Sequence, residues 1–232
     1  MQKKYKGILI NCKIYKENDL FIKFLSETDE ILSGIVYGGL SRKKKLIYQV
    51  GYYLEFIVSY KSNRPLSINA ELIKPFIFPI IENKYKLNCL ISIASLINLS
   101  IVEGQKIKNI YNITDKFLLK MFNNKKWFKN YCIFLFELLK MIGYEVNFEQ
   151  NKNNIYFDLE TLEFKKQSDK NTIIFPFALL DIENNKINRK SVVDLFNIFE
   201  TVFNRHHLSN YNLHLPNQYQ LFKKLIIDSI SK

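Results

Sequence analysis

Apolar and polar side chains alternate through roughly the first 75 residues. Ile8, Ile10, Cys12 and Ile14 alternate with Leu9, Asn11, Lys13 and Tyr15, the period of two expected of a half-buried strand. A turn at Glu17-Asn18-Asp19 leads into a second run, Leu20 to Leu25, with Leu20, Ile22 and Phe24 on one face. Ile31 to Tyr37 makes a third run. In a fourth, Tyr52, Leu54, Phe56, Val58 and Tyr60 line one face, opposite Tyr53, Glu55 and Ser59; Ile68, Ala70 and Leu72 mark a fifth. Short strands separated by turn signals, without a long helical run, predict a small antiparallel barrel, closed or nearly so. Its length fits the oligonucleotide-binding (OB) fold, and an SH3-like barrel fits the pattern nearly as well.

The period changes after Pro75 and Pro79. Leu87, Leu90, Ile91, Ala94, Ile97 and Ile101 recur at helical spacing, with Gly104 as the expected cap. Ile113, Phe117 and Met121 continue in a shorter helix. Trp127, Tyr131, Phe134, Leu135, Leu138, Leu139 and Ile142 form an amphipathic helix that stops at Gly143. A hairpin is expected where Ile155-Tyr156-Phe157 and Leu162-Glu163-Phe164 flank a polar turn. Ser191 is placed to cap a helix carrying Val192, Leu195, Phe196, Phe199 and Phe203. A last helix follows Pro216. The expected class is α+β: a five-stranded antiparallel OB barrel over 1–78, then a mainly helical domain over 79–232 with a β-hairpin insertion near 154–166.

Charge sharpens this picture. The chain has 34 Lys+Arg against 22 Asp+Glu, a formal +12, which favours a polyanionic partner, nucleic acid or an anionic membrane surface. The excess is +6 over 1–80 (13 basic, 7 acidic), +4 over 81–150 (10 and 6) and +2 over 151–232 (11 and 9). A polyanion-binding face is therefore expected toward the amino end. Cys12, Cys89 and Cys132 are scattered without metal spacing and read as small buried apolar residues in a reducing compartment. Apolar stretches are interrupted well before about 18 residues, so no membrane-spanning helix is expected. The first residues lack an apolar signal core, and a cytoplasmic location is expected.

The sharpest local feature is Gly38-Gly39-Leu40-Ser41-Arg42-Lys43-Lys44-Lys45, between the third and fourth strands. Arg42, Lys43, Lys44 and Lys45 would project from a glycine-bearing loop that a phosphate backbone can approach. The competing reading is a solvated charge run that merely deters edge-to-edge strand pairing. Bases stack on exposed aromatic rings. Tyr37 and Tyr48 flank the loop and Tyr53 lies on the more polar face of its strand, so these three are the stacking candidates. Lys13, Lys23 and Arg64 are further candidate phosphate contacts. Catalytic patterns are missing from the sequence: it has no G-x-x-x-x-G-K-[ST] loop, no G-x-S-x-G elbow and no dense acidic cluster. His206 and His207 are adjacent and have no cysteine at ligand spacing. No enzyme activity, metal or cofactor is expected.

Four segments, in order, carry a family resemblance: Gly7-Ile8-Leu9-Ile10 with Tyr15-Lys16-Glu17-Asn18-Asp19; Gly38-Gly39-Leu40-Ser41-Arg42-Lys43 with Gln49-Val50-Gly51 and Leu54-Glu55; Glu137 to Tyr144; and Phe203-Asn204-Arg205-His206-His207-Leu208 with Leu215-Pro216. Together they resemble the bacterial RecO recombination mediators. The resemblance implies an amino-terminal OB domain, a helical carboxyl domain, binding to single- and double-stranded DNA, and strand annealing. It also implies partnership with RecR and with the acidic tail of the single-strand-binding protein, so that the RecA recombinase is loaded. Many members carry a four-cysteine zinc module after the Gly-aromatic cap. Here Val146 to Phe164 contains no cysteine, so zinc is expected to be missing and Tyr156, Phe157, Leu162 and Phe164 to hold the hairpin. Barrel and charge alone equally permit a general RNA-binding protein of the translation apparatus, and an enzyme such as a phosphodiesterase is the third class to test.

Overall fold

The computed structural model describes residues 1–60, 65–74, 80, 82–123, 125–151, 153–184, 187–209 and 213–230. The chain divides into two compact units, Met1–Lys116 and Phe117–Lys232.

The first unit is built on strands β1 (Gln2–Lys16), β2 (Asp19–Ser26), β3 (Ile31–Val36), β4 (Tyr53–Ser59) and β5 (Ser67–Lys74). They close into a barrel in the order β1-β2-β3-β5-β4, which is the OB arrangement. The long β1 closes the ring by serving two neighbours. Its first half pairs with β4, from Gln2↔Ser59 to Ile8↔Tyr53, and its second half with β2, from Gly7↔Ser26 to Lys16↔Asp19. A register shift between Leu9 and Asn11 exchanges the faces of β1. Leu9 stands opposite Phe24, and beyond the shift Cys12 stands opposite Ile22. Ile8, Ile10, Cys12 and Ile14 therefore do not share one face as simple alternation predicts, because a bulge inserts one residue into the period of two. Inside the barrel Phe24 and Phe56 are fully buried and their rings stack at 3.7 Å between centroids. Leu72 ends exposed, and Cys12 is half-buried rather than buried.

Helix α1 (Arg42–Lys45) lies between β3 and β4, and α2 (Lys84–Ser100) follows the barrel. Asn83 caps α2, its Oδ1 accepting from the backbone N–H of Tyr85 and Lys86. The helix packs on β1, which is why Ile8 and Ile10 are buried on the barrel's outer side. It stops at Ser100, short of Gly104. The division between units falls inside α3 (Ile110–Asn123). Asp29, in the β2–β3 turn, accepts from the N–H groups of Asn109 and Tyr111 and satisfies the start of that helix.

The second unit contains α4 (Trp127–Met141), β6 (Tyr156–Asp158), β7 (Phe164–Lys165), β8 (Thr172–Ile174), α5 (Phe177–Leu180), α6 (Arg189–Phe203), a π-helical turn (Asn204–Leu208) and α7 (Asn217–Ile230). The expected hairpin is a three-stranded sheet in the order β7-β6-β8. Its aromatic packing centres on Phe175, whose ring lies within 6 Å of Phe136, Phe148, Phe157, Phe164 and Phe177. Asn188, not Ser191, caps α6: its side chain accepts from the Ser191 N–H at 2.8 Å. Buried Lys129 donates to the carbonyls of Ala178, Asp181 and Asn184, satisfying the end of α5. Burial lowers its ammonium pKa, opposed by the charge of Asp181. No described helix is long and apolar enough to cross a membrane.

Candidate nucleic-acid interface

The cationic segment is not an open loop. Arg42–Lys45 form a single helical turn, closed by a bond from the Lys45 N–H to the Ser41 carbonyl at 2.9 Å. The two preceding glycines explain how it is held. Gly38 adopts φ +62°, a conformation glycine enters without cost, and its N–H donates to Asp19 Oδ1 at 2.8 Å. A Cβ on Gly39 would lie 2.8 Å from the Leu20 side chain, so only glycine lets the turn sit directly on β2. A third tie runs from the Leu40 N–H to the Asn18 carbonyl at 3.1 Å. The cationic turn is thereby fixed to the tip of the β1–β2 hairpin.

The four cations have different surroundings. Arg42, Lys43 and Lys45 are exposed, whereas Lys44 is half-buried and its ammonium donates to the Tyr37 carbonyl at 2.8 Å. Lys44 therefore braces the turn as well as carrying charge. Lys13 is exposed and Lys23 half-buried. The register sets Lys13 opposite Phe21, with Asn11 opposite Lys23 and Lys23 opposite Ser33, so both lysines share the outward face of β1–β2–β3. Arg64 lies outside the described residues.

Of the three tyrosines, only Tyr37 has a ring that a base can reach, at 52% exposure. Tyr48 is 4% exposed. Its hydroxyl pKa is pushed up to about 12 by burial, a hydrogen bond at Ala70 working in the opposite direction. It fills space between β1 and β5. Tyr53 is 7% exposed, donates to Asp115 Oδ1 at 2.7 Å, and has its pKa raised by burial and then by that bond. Tyr53 is covered here by Tyr111 and Asp115, in the part of α3 that belongs to the first unit. As placed, Tyr48 and Tyr53 are packing residues, which corrects the stacking assignment for both.

Two aromatic residues not selected from the sequence lie on the accessible side. Tyr15 is exposed at the hairpin tip, with the Lys16 ammonium 5.6 Å from its ring centroid. Phe21 is half-buried on the face that carries Lys13 and Lys23. Tyr15 carries a signal in its position beside a turn between two lysines; Phe21, between Leu20 and Ile22, is hidden within an apolar run. The accessible candidates are Lys13, Tyr15, Lys16, Phe21 and Lys23 on the hairpin, and Tyr37, Arg42, Lys43 and Lys45 on the adjoining segment. Glu17 at the tip is exposed, and Asp19 is engaged by Gly38. Cations flanking exposed rings are suited to gripping a sugar–phosphate chain while bases stack. Among the described residues no cluster of three or more His, Cys, Asp or Glu is arranged to hold a metal ion.

Comparison with known proteins agrees with the sequence resemblance. Residues 1–76 match the family model described as "Recombination protein O N terminal". The chain is 28% identical over 217 residues to the DNA repair protein RecO of Rickettsia canadensis, covering 88% of each chain. It is 28% identical over 235 residues to that of Rickettsia bellii, covering 96% of this chain and 95% of the relative. A third, from Orientia tsutsugamushi, is 31% identical over 149 residues, 62% of this chain and 61% of the relative.

Proposed function

We propose, from a chain that resembles the RecO family along most of its length, that this protein acts in DNA repair and recombination as a DNA-binding mediator. It binds single- and double-stranded DNA through the cationic turn and hairpin face of its barrel, anneals complementary strands and helps load the RecA recombinase. Its partners are RecR and the acidic tail of the single-strand-binding protein. It works in the cytoplasm and performs no covalent chemistry. The observation that carries the reading is the coincidence of near full-length similarity to proteins named DNA repair protein RecO with exposed cations braced on the barrel. Phosphate neutralisation explains why such a surface would accept both strand forms with little sequence preference.

The test uses purified full-length protein. Titration against labelled single-stranded and duplex DNA is expected to show binding to both that weakens steeply with salt, and mixing complementary strands is expected to show ATP-independent annealing. A clear preference for structured RNA would transfer the protein to the translation apparatus. Turnover of a nucleotide substrate would overturn the non-enzymatic reading.

A further inference from the structure

Among the described residues of the first unit, the most exposed apolar side chains apart from Met1 are Ile14 at 72%, Val102 at 72% and Leu46 at 69%. Val102 adjoins Glu103, but Ile14 and Leu46 both sit within cation runs, beside Lys13 and Lys16 and beside Lys43 to Lys45. Ile14 stands opposite Leu20, which is buried; the apolar row therefore continues past the barrel's rim into open solvent. A second register shift, between Ile14 and Lys16, falls at Tyr15, and bulges of this kind re-aim a side chain. The tip is also tied to the segment that follows β3. Asn18 accepts from the Leu40 N–H, Asp19 accepts from the Gly38 N–H, and Leu20 is seated on Gly39.

A tip tied to the segment after β3 and carrying an exposed aliphatic side chain, with Lys13 on the opposite face of the strand and Lys16 two residues on, has the makings of a wedge. Cations hold the phosphates on either side while the apolar group enters between neighbouring bases, as apolar wedges do when they unstack and kink a duplex. We infer that Ile14, with Tyr15 beside it, is inserted into the base stack at a junction between duplex and single strand, so that the barrel opens the last base steps. The inference rests on the DNA-binding reading above and adds a strand-opening role to it. The single-stranded arm then lies along the lysine-bearing face of β1–β2–β3, where Phe21 and Tyr37 offer further stacking.

The experiment uses the full chain and a hairpin duplex with a single-stranded extension, bearing 2-aminopurine at the last paired position. This base fluoresces more strongly when unstacked. Wild-type protein at saturation is expected to raise the signal several-fold; Ile14→Ser is expected to abolish the rise and Ile14→Ala to reduce it, both binding single-stranded DNA as the wild type does. Because the side chain is exposed, neither change removes core packing, and an unaltered thermal melt checks this. Wild-type binding without a fluorescence rise, or a full rise with Ile14→Ser, overturns the wedge and leaves DNA binding standing. A wild-type chain that binds neither junction nor single strand overturns both.

Discussion

Neutralising the cationic turn gives the most direct quantitative test of the interface. Arg42, Lys43 and Lys45 are exposed, whereas Lys44 places its ammonium on the Tyr37 carbonyl. Three phosphate contacts are therefore expected from four consecutive cations. Each contributes about 0.7 to the log–log salt slope on single strands, so the Arg42→Ala/Lys43→Ala/Lys45→Ala variant should have a slope smaller by about 2. Between roughly 50 and 200 mM salt, a fourfold change, the wild type should then lose about 20-fold more affinity than the variant. The assay is fluorescence anisotropy of a labelled oligonucleotide at several salt concentrations. Since none of the three side chains is buried, unfolding free energy should stay within about 0.5 kcal/mol of wild type. Parallel salt plots for variant and wild type would refute the placement. So would Lys44→Ala alone lowering the slope as far as the triple variant does.

The tyrosine assignment separates affinity from stability. Tyr37→Ala should weaken single-strand binding by about 1–3 kcal/mol with an unchanged melt, whereas Tyr48→Ala should cost about 3–5 kcal/mol of stability, read by urea unfolding. In the second unit, Phe175→Ala should cost about 3–5 kcal/mol and increase amide exchange in β6 and β8 before α7. The Asp158 carboxyl is held down at about 2 by its hydrogen bond to Lys165 and by the N–H groups of Thr161 and Glu160. A depressed carboxylate pKa stabilises the fold above the unfolded value, about 3.9, and that contribution disappears as pH falls through the folded value. Protection of the small sheet should thus decline between about pH 4 and 2, and Asp158→Asn should remove that dependence; a dependence unchanged in the variant would place its origin elsewhere.

The barrel was legible because its apolar alternation is regular and its turns are marked. The faces of β1 were not, since a bulge at one residue reverses every side chain beyond it while leaving the composition unchanged. Burial of Tyr53 was equally hidden. Its strand neighbours Glu55 and Ser59 suggest a wet face, but the covering helix begins more than fifty residues later in the chain. The cations of the site were visible as a run, yet their unequal roles depend on the Tyr37 carbonyl reaching Lys44, a contact no local pattern announces. In the second unit, β8 and the central place of Phe175 were missed because a three-residue strand has too few positions to display a period.

The Gly38–Gly39 brace has a consequence for how this site can vary. The segment is fastened by backbone groups, the Asp19 carboxylate, the Lys44 ammonium and the glycine–leucine contact, while the side chains of Arg42, Lys43 and Lys45 take no part in that fastening. Their number and kind can drift without weakening the fold, so grip on a polyanion and robustness of the barrel are free to be selected separately. The two glycines have no such latitude.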